Sequence, residues 1–549
     1  MSVATSENHR LAGETARPRL TRTQIGIGLL LACLTLVLVS ATLNDAGITW
    51  DEPLYMKASR TYMSWFGVLK QGILHLDLEE ALSDEAIVAG WMPHPTLELH
   101  PPLGKILSGL SFAALRSVWG ELAALRFSNA VLFSLLVAMV FWWVASTYGT
   151  ASGAFAALSL VLMPRMFFHA HLANSDTAVA ATWFLAMYMF WRYESRRGWL
   201  PVAVMGVTFG LALGTKMNAI VMPMVWGIWV LAFRRNWRSI LRLVAVTAIG
   251  GAVFIAIWPW LYHDTANRLA YYVLMAFRFK DRPQFYLGQT WPHVPWHYPF
   301  VITAAVVPLA ILVVSLLGSL LVMRRKPADS TGWLVIVNAA TPLLFAATGL
   351  QAAYSGERHF IPAYPYLACL AGVGFGGALH VLSQALQRLH ERVNVRQTRW
   401  GVGLLLLLLF VPPLVAMIQI HPYQLSYYSE LVGGLPGATR LGLERTFWCE
   451  TYDAALPYLN ANAKPGASVW VENPYVLRAY QRIGLLRQDI EATGGDIISP
   501  YAADYALVQM RETGFTYYTP ESASVVQLET PVYTLTRQGV VLLNLYKLR

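Results

Sequence analysis

Asp51 and Glu52 stand side by side a few residues after the first apolar run of a chain otherwise built for lipid. Two adjacent carboxylates at a membrane edge cost desolvation and mutual repulsion, so they read as catalytic. Three later segments carry chemistry of the same kind. His100-Pro101-Pro102-Leu103-Gly104-Lys105 closes the loop that Asp51 opens, Ala173-Asn174-Ser175-Asp176 precedes an apolar run, and Gly356-Glu357-Arg358-His359-Phe360-Ile361-Pro362 places an arginine in a short polar turn. An arginine fork grips two phosphate oxygens at once, which a lysine of equal charge does not. Each segment has a plainer reading. The prolines turn the chain, Lys105 reaches for lipid headgroups, Asn174 to Asp176 cap a helix, and Arg358 anchors an interface. His94, Glu98 and His100 have metal-ligand types, but four prolines in that loop give no reason for them to converge, so a metal is the weaker reading.

The elements that must hold these residues are membrane helices. Of 549 residues, 56% are hydrophobic and 13% charged, against about 25% charged in a soluble domain. Apolar runs near 25–43, 127–145, 151–164, 177–191, 200–214, 217–233, 243–260, 299–322, 333–350, 360–379 and 403–420 give about 11 transmembrane helices by length and hydropathy. Basic residues alternate along them: Arg10, Arg17, Arg19 and Arg22, then Arg192, Arg196 and Arg197, then Arg234, Arg235 and Arg238, then Arg324, Arg325 and Lys326, then Arg388, Arg392, Arg396 and Arg399. The positive-inside rule makes that face cytoplasmic and puts everything after residue 421 outside. The net charge of +10 then reports topology, and no nucleic-acid partner is expected. Cys33, Cys369 and Cys449 form no disulfide framework.

The ionisable residues away from the cytoplasmic arginines gather on the outer face: Asp51, Glu52, His100, Lys105, His169, His171, Asp176, Lys216, Glu357, Arg358 and His359. A transporter or flippase, the alternative reading, would place some of them near mid-membrane.

Asp-Glu after the first span, His-Pro-Pro-Leu-Gly-Lys, Asn-Ser-Asp, Gly-Leu-Ala-Leu-Gly-Thr-Lys at 210–216 and Glu-Arg-His-Phe-Ile-Pro-Ala-Tyr-Pro at 357–365 occur in an order that resembles the protein O-mannosyltransferase branch of the GT-C glycosyltransferases. The aminoarabinose transferases are related to the same group. The resemblance covers roughly residues 20–430. It implies an inverting transfer of a hexosyl or pentosyl group from a polyprenyl-phosphate donor to a hydroxyl or amine at the outer membrane face, on a protein, lipid or glycan acceptor. It casts Asp51 as general base, Glu52 as its partner in holding the acceptor, and Arg358 as the contact to the donor phosphate. Glu357, His359, Asp176, His100 and Lys105 fall among the substrate-binding positions. His100 stands where the aminoarabinose transferases carry a lysine before Pro-Pro, which leaves Lys105 as the alternative phosphate contact. No cofactor is required, since a phosphodiester leaves without a general acid.

The expected organisation is a cytoplasmic tail over 1–24, a transmembrane catalytic domain over 25–420 with an external loop at 44–126, and an extracytoplasmic α/β domain over 421–549. In that last part, strand-like runs at 467–472, 505–509 and 532–546 alternate with helical stretches near 451–463 and 474–485. The loop at 261–298 is too short for the repeat domain that eukaryotic protein mannosyltransferases insert there. That points to a prokaryotic plasma membrane.

Overall fold

The computed structural model describes residues 19–91, 100–234, 236–278, 282–325, 329–351, 353–388, 395–495 and 498–549. Helix forms within each of the eleven apolar runs. Among the described residues, six helices are long and apolar enough to cross a membrane: Arg22–Ala41, Glu121–Tyr148, Trp237–Ala256, Ser330–Ala347, Ile361–Ala385 and Gly401–Ile420. Thr150–Val161, Trp199–Leu213 and Met217–Phe233 are apolar but shorter. The run at 299–322 is interrupted before Pro308 into Tyr298–Val306 and Leu309–Arg325, as expected where proline removes a donor and blocks the preceding turn. The chain is thus a polytopic membrane protein, with a span count not fixed at 11.

Glycines set the helix spacing. A Cβ on Gly318 would stand 1.9 Å from the Leu370 carbonyl oxygen, and one on Gly374 would stand 2.0 Å from that of Val314, so Leu309–Arg325 and Tyr364–Arg388 touch backbone to backbone. Small residues permit such contact in lipid, where apolar surface alone gives helices no reason to associate. Glu121–Tyr148 lies at the centre of the bundle, whereas Gly401–Ile420 leaves most of its surface to lipid. Two buried tryptophans spend their one donor on a neighbouring helix: Trp191 Nε1 on Thr331 Oγ1 at 3.0 Å and Trp183 Nε1 on Asn338 Oδ1 at 3.3 Å.

Beyond the last helix, β3 (Ser468–Val471), β4 (Glu491–Gly494), β5 (Tyr505–Gln509), β6 (Pro531–Arg537) and β7 (Val540–Lys547) form a sheet in the order β4-β3-β5-β7-β6. Strand β3 runs parallel to β4 and β5, and β7 is antiparallel to β5 and β6. The single run expected at 532–546 is a hairpin, turned at Gln538 and Gly539 with φ of 48° and 77°. Strand β4 has no counterpart in the sequence reading. A smaller hairpin, β1 (Gln284–Tyr286) with β2 (Gln289–Trp291), sits in the loop after Trp237–Ala256. That loop also carries the helix Thr265–Arg278, which adds Tyr272 to an aromatic cluster with Tyr62, Trp65, Trp91, Trp258 and Trp260. The polar turns at 43–52, 100–105, 164–176, 214–218 and 354–363 lie at one end of the bundle, under the sheet domain.

Replacing Gly318 with valine should therefore force the two helices apart, lowering stability by about 1–3 kcal/mol. Gly403→Ala, where a Cβ meets nothing within 4 Å, should leave thermal unfolding in detergent unchanged.

Candidate active site

Asp51 occupies the N-cap of the helix Glu52–His75, with Pro53 in the first turn. An aspartate at that position ordinarily accepts a hydrogen bond from the helix N–H groups. Here the side chain makes no cap bond. Instead Oδ2 accepts from Arg358 Nη2 at 2.7 Å. The Asp51 side chain is 26% exposed and that of Arg358 only 6%, so the pair joins solvent to a buried polar layer.

Glu52 has a different environment from its neighbour. It is fully buried and receives both Nε and Nη2 of Arg126 at 2.8 Å, together with the Ala173 and Thr49 backbone N–H groups at 2.9 Å each. Arg126 is equally buried, and its remaining donors go to the carbonyls of Leu43, Ala46 and Gly47. With its oxygens occupied, Glu52 fixes the turn that carries Asp51 and leaves no lone pair pointed at solvent. The expected acceptor-holding role therefore has no free oxygen to act through.

Behind Arg358 runs a chain of buried charges. Arg358 Nε lies 3.8 Å from Asp176 Oδ2, and Lys216 Nζ donates to Asp176 Oδ1 at 2.5 Å. Asn174 caps the following helix by accepting from the Asp176 N–H, so the capping reading holds for Asn174 while the Asp176 carboxylate serves the charge chain. His169 lies between Asp176 and Glu357, with Nδ1 at 3.8 Å from one and Nε2 at 3.2 Å from the other. Glu357 is fully buried and pairs with Arg165 at 2.7 Å, so it faces inward, away from Asp51. Burial opposes the charge on Glu357, but Arg165 and His169 outweigh it and lower the carboxyl's pKa. For Arg358 burial is likewise outweighed, by Asp51 and Asp176, and the guanidinium's pKa is raised.

The remaining sequence candidates line the same layer. Lys105 is 2% exposed, donates to the His100 carbonyl at 2.6 Å and stands 5.6 Å from the ring centres of Tyr55 and Tyr62. It is thus drawn into the protein rather than toward headgroups. His100 and His359 are held well below the usual histidine range, chiefly by burial and then by nearby cations, Lys216 foremost in each case. His94 and Glu98 lie outside the described residues, and among the described residues no three histidine, cysteine or acidic side chains gather as metal ligands.

Lys105, Lys216 and Arg358 thus stand against Asp51 and Asp176, giving the layer an excess of positive charge. Arg358 Nε and His359 Nε2 are buried without a hydrogen-bond partner within the described residues. Such atoms ordinarily find a partner, so the layer is suited to an oxyanion. Sequence reasoning placed Lys216 and His169 on this face without assigning them a role, and it missed Arg126 and Trp448. Trp448 is 4% exposed, and its ring lies 4.1 Å from the Arg358 guanidinium.

Comparisons with known proteins agree with this architecture. The sequence profile of the family described as dolichyl-phosphate-mannose-protein mannosyltransferase matches residues 99–263, a segment that holds Lys105, Arg126, Arg165, His169, Asp176 and Lys216. No curated protein sequence matches the chain. The apo crystal structure of ArnT from Cupriavidus metallidurans aligns over 95% of this chain and 98% of its own, at 14% identity with a TM-score of 0.51. ArnT bound to undecaprenyl phosphate aligns over the same shares at 14% identity with a TM-score of 0.49. AglB, the archaeal oligosaccharyltransferase from Archaeoglobus fulgidus, covers 88% of this chain and 69% of its own at 11% identity with a TM-score of 0.47.

Breaking the Glu52 pair should be costly, because it strands a buried carboxylate. Arg126→Met is expected to lose about 3–5 kcal/mol in denaturant or thermal unfolding, while Asp51→Asn, which is partly exposed and keeps an oxygen for the Arg358 bond, should lose clearly less. Over nearly its whole length the chain shares the fold of ArnT, and residues 99–263 match the sequence model of the dolichyl-phosphate-mannose-protein mannosyltransferase family.

Proposed function

We propose that the protein is an integral-membrane inverting glycosyltransferase, moving a hexosyl or pentosyl group from a polyprenyl-phosphate donor to a hydroxyl or amine of a protein, lipid or glycan. The observation that carries this reading is the 2.7 Å pair between Asp51, the solvent-reaching member, and the buried Arg358. A proton acceptor at the surface and a phosphate-binding fork beside it are the two groups such a displacement needs. The acceptor oxygen or nitrogen bonds to the anomeric carbon and its proton passes to Asp51. The bond from that carbon to the phosphate oxygen breaks, and the charge arriving on the phosphate is met by Arg358 with Lys216 behind it. A phosphate oxygen at Arg358 takes the place now held by the Asp51 carboxylate, so donor binding frees the base. Glu52 acts by holding the Asp51 turn. The scheme asks for no metal.

The orientation follows the charge. The described arginines at 192, 196, 234, 238, 324 and 325 lie at the end of the bundle opposite the site, which supports a cytoplasmic N-terminus, an outward-facing site and an extracytoplasmic sheet domain. The short loop at 261–298 supports a prokaryotic plasma membrane. A transporter or flippase has less support, because Asp51, Glu52, Asp176, Lys216, Glu357 and Arg358 gather at a single end.

The test uses purified protein in lipid with a panel of polyprenyl-phosphate sugars and a membrane-extract acceptor pool. Asp51→Asn should reduce transfer by about 10²–10⁴-fold yet bind undecaprenyl phosphate at least as tightly as wild type, since the competing carboxylate is gone. An active Asn variant would remove Asp51 from the chemistry. Arg358→Lys keeps the charge but loses the fork, and its affinity for the same phosphate should fall about tenfold or more. Equal affinity in the two proteins would reduce Arg358 to an anchor.

A further inference from the structure

We propose that Trp448, supplied by the C-terminal region, is a positioning residue that sets the plane of the Arg358 guanidinium for phosphate; this rests on the phosphate-binding reading of Arg358 given above. Two neighbouring aromatics of that region cover two buried arginines. Phe447 lies 5.6 Å from Arg165, and Trp448 lies 4.1 Å from Arg358. Phe447 also packs on Gly356, where a Cβ would meet its ring at 2.9 Å.

The backbone pays for this placement. Trp448 and Cys449 adopt φ of 75° and 63°, a left-handed conformation that non-glycine residues seldom take and that persists only where surroundings hold it. The surroundings do so here. Gln509 Oε1 accepts from the Cys449 N–H at 3.0 Å, and the Trp448 carbonyl accepts from the Trp50 N–H at 2.8 Å, one residue before the proposed base. Trp448 therefore touches the Asp51 turn through its main chain and Arg358 through its indole.

Stacking directs the guanidinium's hydrogen bonds. With the indole against one face, donation is confined to the plane of the fork, where Nη2 meets Asp51 and Nε is left without a hydrogen bond. A two-point grip on phosphate depends on that plane being fixed, and the indole also keeps water from the face it covers.

The full chain in lipid nanodiscs is titrated with undecaprenyl phosphate, with transfer kinetics as a second readout. W448L should weaken phosphate binding about tenfold and W448F about threefold, with the KM for acceptor unchanged in both. In an R358K background, which has no planar fork to orient, W448F should have no further effect, and this cycle serves if W448L does not fold. Wild-type affinity in W448L, equal losses in W448F and W448L, a matching rise in acceptor KM, or additive losses in the cycle would each overturn the role of Trp448. A wild-type protein that does not bind undecaprenyl phosphate would instead overturn the phosphate reading on which the role rests.

Discussion

Charge taken out of water near a membrane is tolerated when it is paired, and the pair of Glu52 with Arg126 shows how completely that can be done. Each side chain is fully buried, and its oxygens and nitrogens bond to partners fixed in the fold. A buried pair of this kind adds little net stability over an apolar substitute, but losing one partner is expensive. Its effect is to make the turn at 43–52 nearly invariant in shape. Asp51 inherits a fixed position from its neighbour, and the neighbour is thereby removed from direct contact with substrate. The further chain from Arg165 through Glu357, His169 and Asp176 to Lys216 and Arg358 extends the same constraint across the bundle. Only its Asp51 end reaches solvent.

The sheet domain is joined to this layer by two routes. One passes through Trp448 and the turn at 48–50: the Ile48 N–H donates to Tyr480 Oη at 2.6 Å, and Asn473 Nδ2 donates to the Trp50 carbonyl at 3.2 Å. The other passes through the β1–β2 hairpin. Gln284 bonds Glu444 with its amide and accepts from the Ser355 N–H at 2.7 Å with its carbonyl, three residues before Arg358. The two sides of the Asp51–Arg358 pair are thus gripped separately by the same domain. A domain that only covered the site would need neither contact.

The layout of the membrane part was legible because hydropathy and basic-residue placement are local signals. Helix forms in each apolar run, and the one run that breaks does so at its proline. The clustering of Asp51, Arg358 and Asp176 was legible through the ordered motifs, although the motifs gave no distances. Glu52 was read by analogy with its neighbour, and nothing in the dipeptide distinguishes a carboxylate facing solvent from one locked against an arginine 74 positions away. Arg126 drew no reading, since nothing local marks an arginine just ahead of an apolar run as the partner of a distant carboxylate. Trp448 carried no signal at all, since an indole between phenylalanine and cysteine reads as core, and its partner lies on a different loop. What the sequence withheld was in each case a contact between distant segments.

The bonds that join the turn before Asp51 to the sheet domain link residues as far as 432 positions apart. Synthesis and membrane insertion run from the N-terminus, so the carboxylate is made well before residues that seat its turn, which follow their partners by as many as 432 positions. A nascent chain whose spans are already in the bilayer still lacks the indole, the asparagine and the tyrosine that hold the 48–50 turn. The reacting groups therefore come into register only after the sheet domain has been made and has folded onto the bundle.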